Sequence, residues 1–180
     1  NQNLLVVCGL FLGIGLNGYS SFRIMPILVF VVFFVFILIN KAYAEIEYYI
    51  FSFIVIIFVA LSVFVPVLRY SFDHPGNFSY RMISRLTPIE HPFNDSPIII
   101  FIKNFWDAML MPFFRNGQIW VHSVTNRPAL DAISAPLLLI GLLIAFHKMR
   151  YQKKWEYAVL LISIPILLMP SILSIAYPAE

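Results

Sequence analysis

The sequence predicts an all-α membrane protein with about five transmembrane helices and a long, partly helical extracytoplasmic cap between the third and fourth. Of its 180 residues, 61% are hydrophobic and only 12% are charged, a composition that excludes an ordinary soluble domain. Several apolar stretches approach the length of about 20 residues that a helix needs to cross a bilayer. Because backbone polar groups in lipid must be satisfied internally, these stretches predict helices and not strands.

Five apolar stretches carry the prediction of membrane spans. They cover residues 4–16, 24–39, 48–68, 132–146 and 155–174. The first and fourth are short, so we expect polar residues at one end or neighbouring helices to complete them. The chain therefore divides into three spans in residues 1–68, a cap in residues 69–131, and two spans in residues 132–180.

One basic loop sets the predicted orientation. Residues 147–154 hold four Lys and Arg residues, which favours the cytoplasmic side of the membrane. Counting spans back from this loop places residues 40–47 inside and residues 69–131 outside. We therefore expect a multi-pass protein of the cell membrane whose long loop, residues 69–131, is extracytoplasmic.

An amphipathic, interfacial helix is predicted in the cap near residues 97–114. Ser96 is a good N-cap, and Pro97 suits the first helical position. Asp107 follows Lys103 by four residues and is expected to pair with it on the helix surface. The expected apolar face comprises Phe101, Ile102, Phe105 and Met109, and the expected polar face comprises Lys103, Asn104 and Asp107.

Three arginines are candidates for binding a phosphate. Arg23 lies at a membrane boundary, where a guanidinium can bind phosphate bidentately or can extend to lipid headgroups. Arg81 and Arg85 lie one turn apart on a second predicted helix, near residues 77–86. They could form a second anion clamp, or they could be solvated charges that rest on headgroups.

A polar and aromatic cluster, residues 116–131, precedes the fourth predicted span. Trp120 could stack on a sugar ring or could be an interface anchor, and His122 could shuttle a proton or bond a sugar hydroxyl. Asp131, at the span boundary, is explained by capping the next helix. The single cysteine, Cys8, and the lack of paired histidines predict neither a metal site nor a cofactor. No carboxylate in the cap stands out as a catalytic base.

Four segments in order carry a family resemblance: residues 13–26, 74–84, 104–131 and 168–180. The first ends in a turn with Tyr19, Arg23 and Pro26, and the second contains Asn77-Phe78. Together the segments resemble bacterial and archaeal membrane glycosyltransferases of the protein-O-mannosyltransferase superfamily, the family-39-like enzymes with the GT-C fold. Asn17-Gly18 and Gln118 depart from the family's pattern.

The resemblance implies transfer of a sugar from a polyprenyl-phosphate donor to a protein or lipid acceptor. We expect one outer cavity in which Arg23, Trp120, His122 and Asn126 converge. The donor phosphate would meet Arg23, Arg81 and Arg85, and the sugar or acceptor would meet Tyr19, Trp120, His122 and Asn126. The family's acidic catalytic motif belongs to an earlier loop. The chain is therefore expected to be a middle-to-late fragment whose catalytic base lies upstream of Asn1.

Two non-enzymatic functions are the alternatives. Transporters and lipid flippases usually carry broken helices and ionisable residues at mid-membrane, whereas these span interiors are nearly free of charge. A scaffold subunit would present an exposed aromatic face without a cavity at the membrane boundary. Partners expected for the enzyme are the lipid-linked sugar, the acceptor and membrane lipids. The net charge of +3 is too small to indicate nucleic acid.

Overall fold

The fold was analysed in a computed structural model, which describes residues 2–87, 95–114 and 127–174. Within these ranges the chain is all-helical, as the sequence predicts, and contains no strand. The α-helices are α1 (Gln2–Leu16), α2 (Met25–Asn40), α3 (Ile46–Asp73), α4 (Pro75–Leu86), α5 (Pro97–Leu110), α6 (Ser134–Gln152) and α7 (Trp155–Ile172). Two 3-10 turns, Ser20–Ile24 and Ala42–Glu45, lead into α2 and α3.

Three helical segments are long and apolar enough to cross a bilayer. They are Ser20–Asn40, Tyr43–Asp73 and Trp155–Ile172, with 21, 31 and 18 residues. They correspond to the second, third and fifth predicted spans. α1 has 15 residues, and α6 carries basic residues in its last turns, so spans at these two helices stay predictions. The length and composition of these three helices, found among the described residues, are typical of a membrane protein.

α1 and α3 run parallel and approach each other closely at two glycines of α1. A Cβ on Gly9 would lie 2.7 Å from the Val59 Cβ. A Cβ on Gly13 would lie 2.7 Å from both the Ala60 carbonyl oxygen and the Val63 Cβ. Gly9 and Gly13 are one turn apart and so share a face, the spacing that allows two membrane helices to approach.

Asn17 extends this helix contact beyond the end of α1. Its Nδ2 donates to the carbonyl oxygen of Gly13 at 2.7 Å and to that of Val63 in α3 at 3.3 Å. A carbonyl in the last turn of a helix lacks an intrahelical donor, and the Asn17 amide supplies one. Asn17 therefore joins α1 to α3.

Aromatic rings hold α2 against α3 and α7. Phe33 stacks on Phe53 with ring centroids 5.0 Å apart. Phe36 meets Tyr49 edge-on at 5.3 Å and Trp155, the first residue of α7, edge-on at 5.0 Å. Offset and edge-on ring pairs contribute about 0.5–1.5 kcal/mol beyond the burial of their area. α2 is therefore fixed between two helices that follow it in the chain.

α3 continues beyond its apolar stretch. The predicted third span ends at residue 68, but the helix extends to Asp73, and α4 begins at Pro75 after a single residue. His74, between the two helices, stacks its ring on Tyr70 with centroids 4.8 Å apart. The first residues assigned to the cap by hydropathy therefore belong to α3. The second predicted cap helix is observed as α4.

α5 packs against α7, and Asn104 lies in this contact. Asn104 is 2% exposed, and its Nδ2 donates to the carbonyl oxygens of Ile172 at 3.2 Å and Ser174 at 2.9 Å. Because the last carbonyls of a helix have no intrahelical donors, this amide closes the end of α7. The prediction that Asn104 belongs to the polar outer face of the helix is therefore wrong.

The polar surface of α5 also differs from the prediction. Lys103 pairs with Asp95 and not with Asp107. Ser96 and Pro97 occupy the predicted first positions, but the Ser96 hydroxyl makes no capping hydrogen bond within the described residues. The helix ends at Leu110, earlier than the predicted limit near residue 114. Since both Lys103 and Asp95 are largely exposed, their pair contributes at most about 1 kcal/mol.

The hydrogen bonds of Asp131 confirm the prediction that it caps the start of α6. Its Oδ1 accepts hydrogen bonds from the backbone N of Ile133 at 2.8 Å and of Ser134 at 2.7 Å, and its Oδ2 accepts one from the Ser134 Oγ at 3.0 Å. The bonds from Ser134 and then Ile133 lower the pKa of the Asp131 carboxyl below its ordinary value of 3.8. The ionised carboxylate therefore stabilises the turn that leads into α6.

The start of α6 is expected to loosen in acid. Because the folded pKa of Asp131 is depressed, its capping contribution is complete above pH 3.8 and is lost as pH falls through the lower folded value. The NMR protection factors of the Ile133 and Ser134 amides, which compare each exchange rate with that of an unfolded chain at the same pH, should fall over that range. Asp131→Ala should lower the same protection factors already at neutral pH and remove their further decrease in acid. An unchanged exchange rate in Asp131→Ala contradicts the capping role.

Candidate functional site

The candidate site lies where the turn Ser20–Ile24 meets α4. A Cβ on Gly15 would collide with the ring of Phe22, so glycine is required for this ring to fold back over α1. The Phe22 backbone N donates to the Tyr19 carbonyl oxygen at 2.9 Å and tightens the turn. With Phe22 packed on α1, the next side chain, Arg23, extends to α4.

Arg23 lies over an aromatic ring of α4. Its Cζ lies 4.0 Å from the centroid of the Phe78 ring in α4. A guanidinium over an aromatic face gains about 0.5–2 kcal/mol, more as it becomes desolvated. Arg23 and Phe78 come from two separate segments of the family resemblance, and the fold brings them into contact. The sequence singles out Arg23 but gives no sign that Phe78 is its partner.

The Arg23 guanidinium has an unsatisfied donor. The side chain is half-buried, and its Nε is buried without a hydrogen-bond partner in the described part of the chain. A buried donor without an acceptor costs about 1–3 kcal/mol. Among residues 2–87, 95–114 and 127–174 the structure has one ion pair, Lys103–Asp95, so no carboxylate there neutralises Arg23. An anion that accepts from Nε would satisfy both the donor and the charge.

The other candidate phosphate ligands lie on α4. Arg85 is half-buried and already has an interaction partner. Arg81 belongs to the same helix, and its side chain is outside the described part of the structure. Ser84, between them, is fully buried and fixes this face of α4 against the protein. The structure therefore places the backbone of both arginines on the helix that contacts Arg23.

The candidate sugar-binding residues are only partly described. Tyr19 directly precedes the turn that carries Arg23 and is 69% exposed, so its ring is available to a ligand. Trp120, His122 and Asn126 lie outside the described residues. The convergence of Arg23 with these three residues therefore stays a prediction.

The described residues also offer no candidate metal centre. No group of three His, Cys, Asp or Glu side chains within them could hold a metal ion. Comparison of the chain with protein-family models, curated proteins and solved structures gives no match. Function is therefore inferred from the geometry of Arg23 and its surroundings.

A second feature of the site region is an apolar groove between α5 and α7. Its volume is about 400 Å³, which is within the range of small-molecule sites. Its lining side chains are apolar or aromatic and include Phe101, Phe105 and Trp106 of α5 and Pro165, Ile166 and Met169 of α7. Since α7 is long and apolar enough to span a membrane, a hydrocarbon chain suits this groove. The turn Ser20–Ile24 also contacts α7.

Proposed function

We propose that this chain belongs to an integral-membrane glycosyltransferase that transfers a sugar from a polyprenyl-phosphate donor to a protein or lipid acceptor. The observation that carries the proposal is Arg23, a half-buried cation that stacks on Phe78 while its Nε lacks an acceptor. The resemblance to the protein-O-mannosyltransferase superfamily supports the same function, because both residues lie in segments that carry it.

Arg23 suits the leaving group of this reaction. When the bond between sugar and phosphate breaks, negative charge grows on the phosphate oxygens. A guanidinium held in place can donate two parallel hydrogen bonds to a phosphate, and its planar geometry suits that group better than a lysine ammonium does. Phe78 restricts the plane of the guanidinium, so less reorganisation is needed as the charge develops. Arg23 would therefore stabilise the transition state more than the bound donor.

The groove between α5 and α7 supports a lipid-linked donor. A polyprenyl chain is hydrocarbon throughout, and the groove is lined by apolar and aromatic side chains only. The groove and the turn that carries Arg23 both border α7. A donor would therefore enter sideways from the bilayer with its chain along α7.

Arg23→Lys is expected to reduce sugar transfer about 10²- to 10³-fold, because the ammonium keeps the charge but loses the bidentate geometry. Phe78→Leu should reduce transfer less, since it frees the guanidinium without removing it. Both variants are measured in membranes with radiolabelled polyprenyl-phosphate sugars as donors, and thermal unfolding is followed in parallel. Thermal midpoints close to wild type are expected for both.

Arg69→Gln is the matched control for Arg23→Lys. Arg69 is an exposed arginine in the last turns of α3, and its replacement should leave transfer unchanged. Equal transfer by Arg23→Lys and the wild type would contradict the role of Arg23. If the protein moved lipid-linked sugar across the bilayer without transferring it to any acceptor, that result would favour a flippase over a glycosyltransferase.

A further inference from the structure

Two lysines adopt a backbone conformation that favours glycine. Within the described ranges, the non-glycine residues with positive φ are Lys41, at φ 50° and ψ 36°, and Lys153, at φ 52° and ψ 32°. Each directly follows the last residue of a helix, the position where glycine is the usual choice. Because a Cβ disfavours this conformation by roughly 1–2 kcal/mol, glycine would relieve the backbone at both positions.

Both lysines lie at the same end of the protein. Lys41 follows the end of α2, and Lys153 follows the end of α6, two residues before Trp155 begins α7. The edge-on contact of Phe36 with Trp155 joins the last turns of α2 to the start of α7. We call the exposed cations at this end the basic rim. Its members are Lys41, Arg150, Lys153 and Lys154.

The cations of the basic rim form no ion pair within the described structure. Glu45, Glu47 and Glu156 lie on neighbouring segments, but none forms an ion pair with the rim, since the one ion pair described is Lys103–Asp95. The Glu45 carboxylate instead accepts a hydrogen bond from the Tyr49 hydroxyl at 3.3 Å. Lys148, on the same turn, is excluded from the rim because its Nζ bonds the Tyr157 hydroxyl at 3.1 Å. The rim cations therefore face outward, available to an external anion.

Exposed tyrosines surround the rim at the same level. Tyr43, Tyr48 and Tyr151 are 54%, 56% and 74% exposed. Tyrosines at the ends of membrane helices typically lie at the level of lipid headgroups, with the ring in the apolar side and the hydroxyl in water. The adjacent segments Ser20–Asn40 and Trp155–Ile172 are long and apolar enough to span the bilayer. Cations at the ends of such segments can therefore reach headgroup phosphates.

We propose that the basic rim binds the headgroups of anionic phospholipids. Lys41 and Lys153 are retained in their left-handed conformations because their ammonium groups contact lipid phosphate, while Arg150 and Lys154 extend the same surface. The bound lipids would hold the ends of α2, α6 and the start of α7 together. The site is separate from Arg23 and does not depend on the proposed transferase activity.

The test compares variants of the protein in nanodiscs of phosphatidylcholine alone and of phosphatidylcholine mixed with phosphatidylglycerol. The wild type should unfold at a higher temperature in the anionic mixture. Lys41→Gly and Lys153→Gly should lose part of this gain, yet match or exceed the wild type in phosphatidylcholine, because glycine adopts the left-handed conformation without strain. Each lysine removed should weaken phosphatidylglycerol binding about fivefold, an effect that added salt reduces.

Two further variants separate lipid binding from backbone strain. Lys154→Gln removes a rim charge at a residue with an ordinary extended backbone. It should lose part of the phosphatidylglycerol response without becoming more stable in phosphatidylcholine. Lys103→Gln removes an exposed lysine of α5 and should keep the full response. The proposal is overturned if phosphatidylglycerol raises the unfolding temperature of the double variant Lys41→Gly, Lys153→Gly as much as it raises that of the wild type.

Discussion

Gly13→Leu is expected to separate α1 from α3 and to destabilise the protein by more than the roughly 1–3 kcal/mol typical of overpacking. Even the first added carbon would lie 2.7 Å from the Ala60 carbonyl oxygen and from the Val63 Cβ. A backbone oxygen cannot rotate away as a side chain can, so the helices themselves must move. That movement also breaks the hydrogen bond from Asn17 to the Val63 carbonyl. Thermal or denaturant unfolding in detergent micelles measures the loss.

Gly141→Ala is the matched control for Gly13. Gly141 lies inside α6, and a Cβ there would meet no atom within 4 Å among the described residues. Alanine should stabilise α6 by roughly 0.5–1 kcal/mol, because glycine costs more conformational entropy in a helix. Gly13→Ala should be destabilising, in the opposite direction. If both alanine variants shift stability alike, the close approach of α1 and α3 is wrong.

Asn104→Leu is expected to produce the other large loss, about 1–3 kcal/mol for each carbonyl left without a donor. Leucine keeps the branched shape of the asparagine side chain but is larger, so overpacking between α5 and α7 adds to the loss. The carbonyl oxygens of Ile172 and Ser174 both lose the Asn104 amide. Unfolding measurements give the total loss, and amide exchange at the end of α7 shows where it occurs.

Asn40→Leu is the comparison that isolates burial. The Asn40 amide also donates to a helix carbonyl, that of Phe36 at 3.1 Å, but it is exposed and water can replace it. Its loss should change stability by about 0.5 kcal/mol or less. Asn104→Asp should be destabilising at neutral pH and partly rescued in acid, when the carboxyl gains a proton to donate. Equal losses in Asn104→Leu and Asn40→Leu would contradict the closing role of Asn104.

The membrane helices were predictable because the signal is local. Long apolar stretches force helices in lipid, and α2 and α7 appear close to their predicted limits, whereas α3 extends beyond its predicted end at residue 68. The position of α5 was also predictable, from Ser96-Pro97 and its periodicity. The burial of Asn104, one of the polar residues of α5, was not predictable. The end of α7 that needs the Asn104 amide lies 68 residues further along the chain, and no spacing within α5 indicates it.

The candidate site was likewise predictable only where the signal is local in the sequence. Arg23 was predictable because an arginine at a membrane boundary is conspicuous in a chain with so few charges. Its contact with Phe78 depends on how α3 continues to Asp73 and turns immediately into α4. Hydropathy predicts that the third span ends at residue 68, because hydropathy reports the length of the apolar stretch and not the length of the helix. The long-range contact that defines the site is therefore a consequence of geometry beyond the span.

The Asn104 amide also sets the rotational register of α5. Its two hydrogens go to two different carbonyls of the α7 terminus, so a rotation of α5 about its axis, or a slide by one residue, breaks both bonds together. The backbone on that side of the apolar groove is therefore held at a fixed distance from α7. A hydrocarbon chain of different width would therefore fit this groove only through rotamer changes of exposed side chains. Ile102 and Trp106, which are 50% and 58% exposed, are examples.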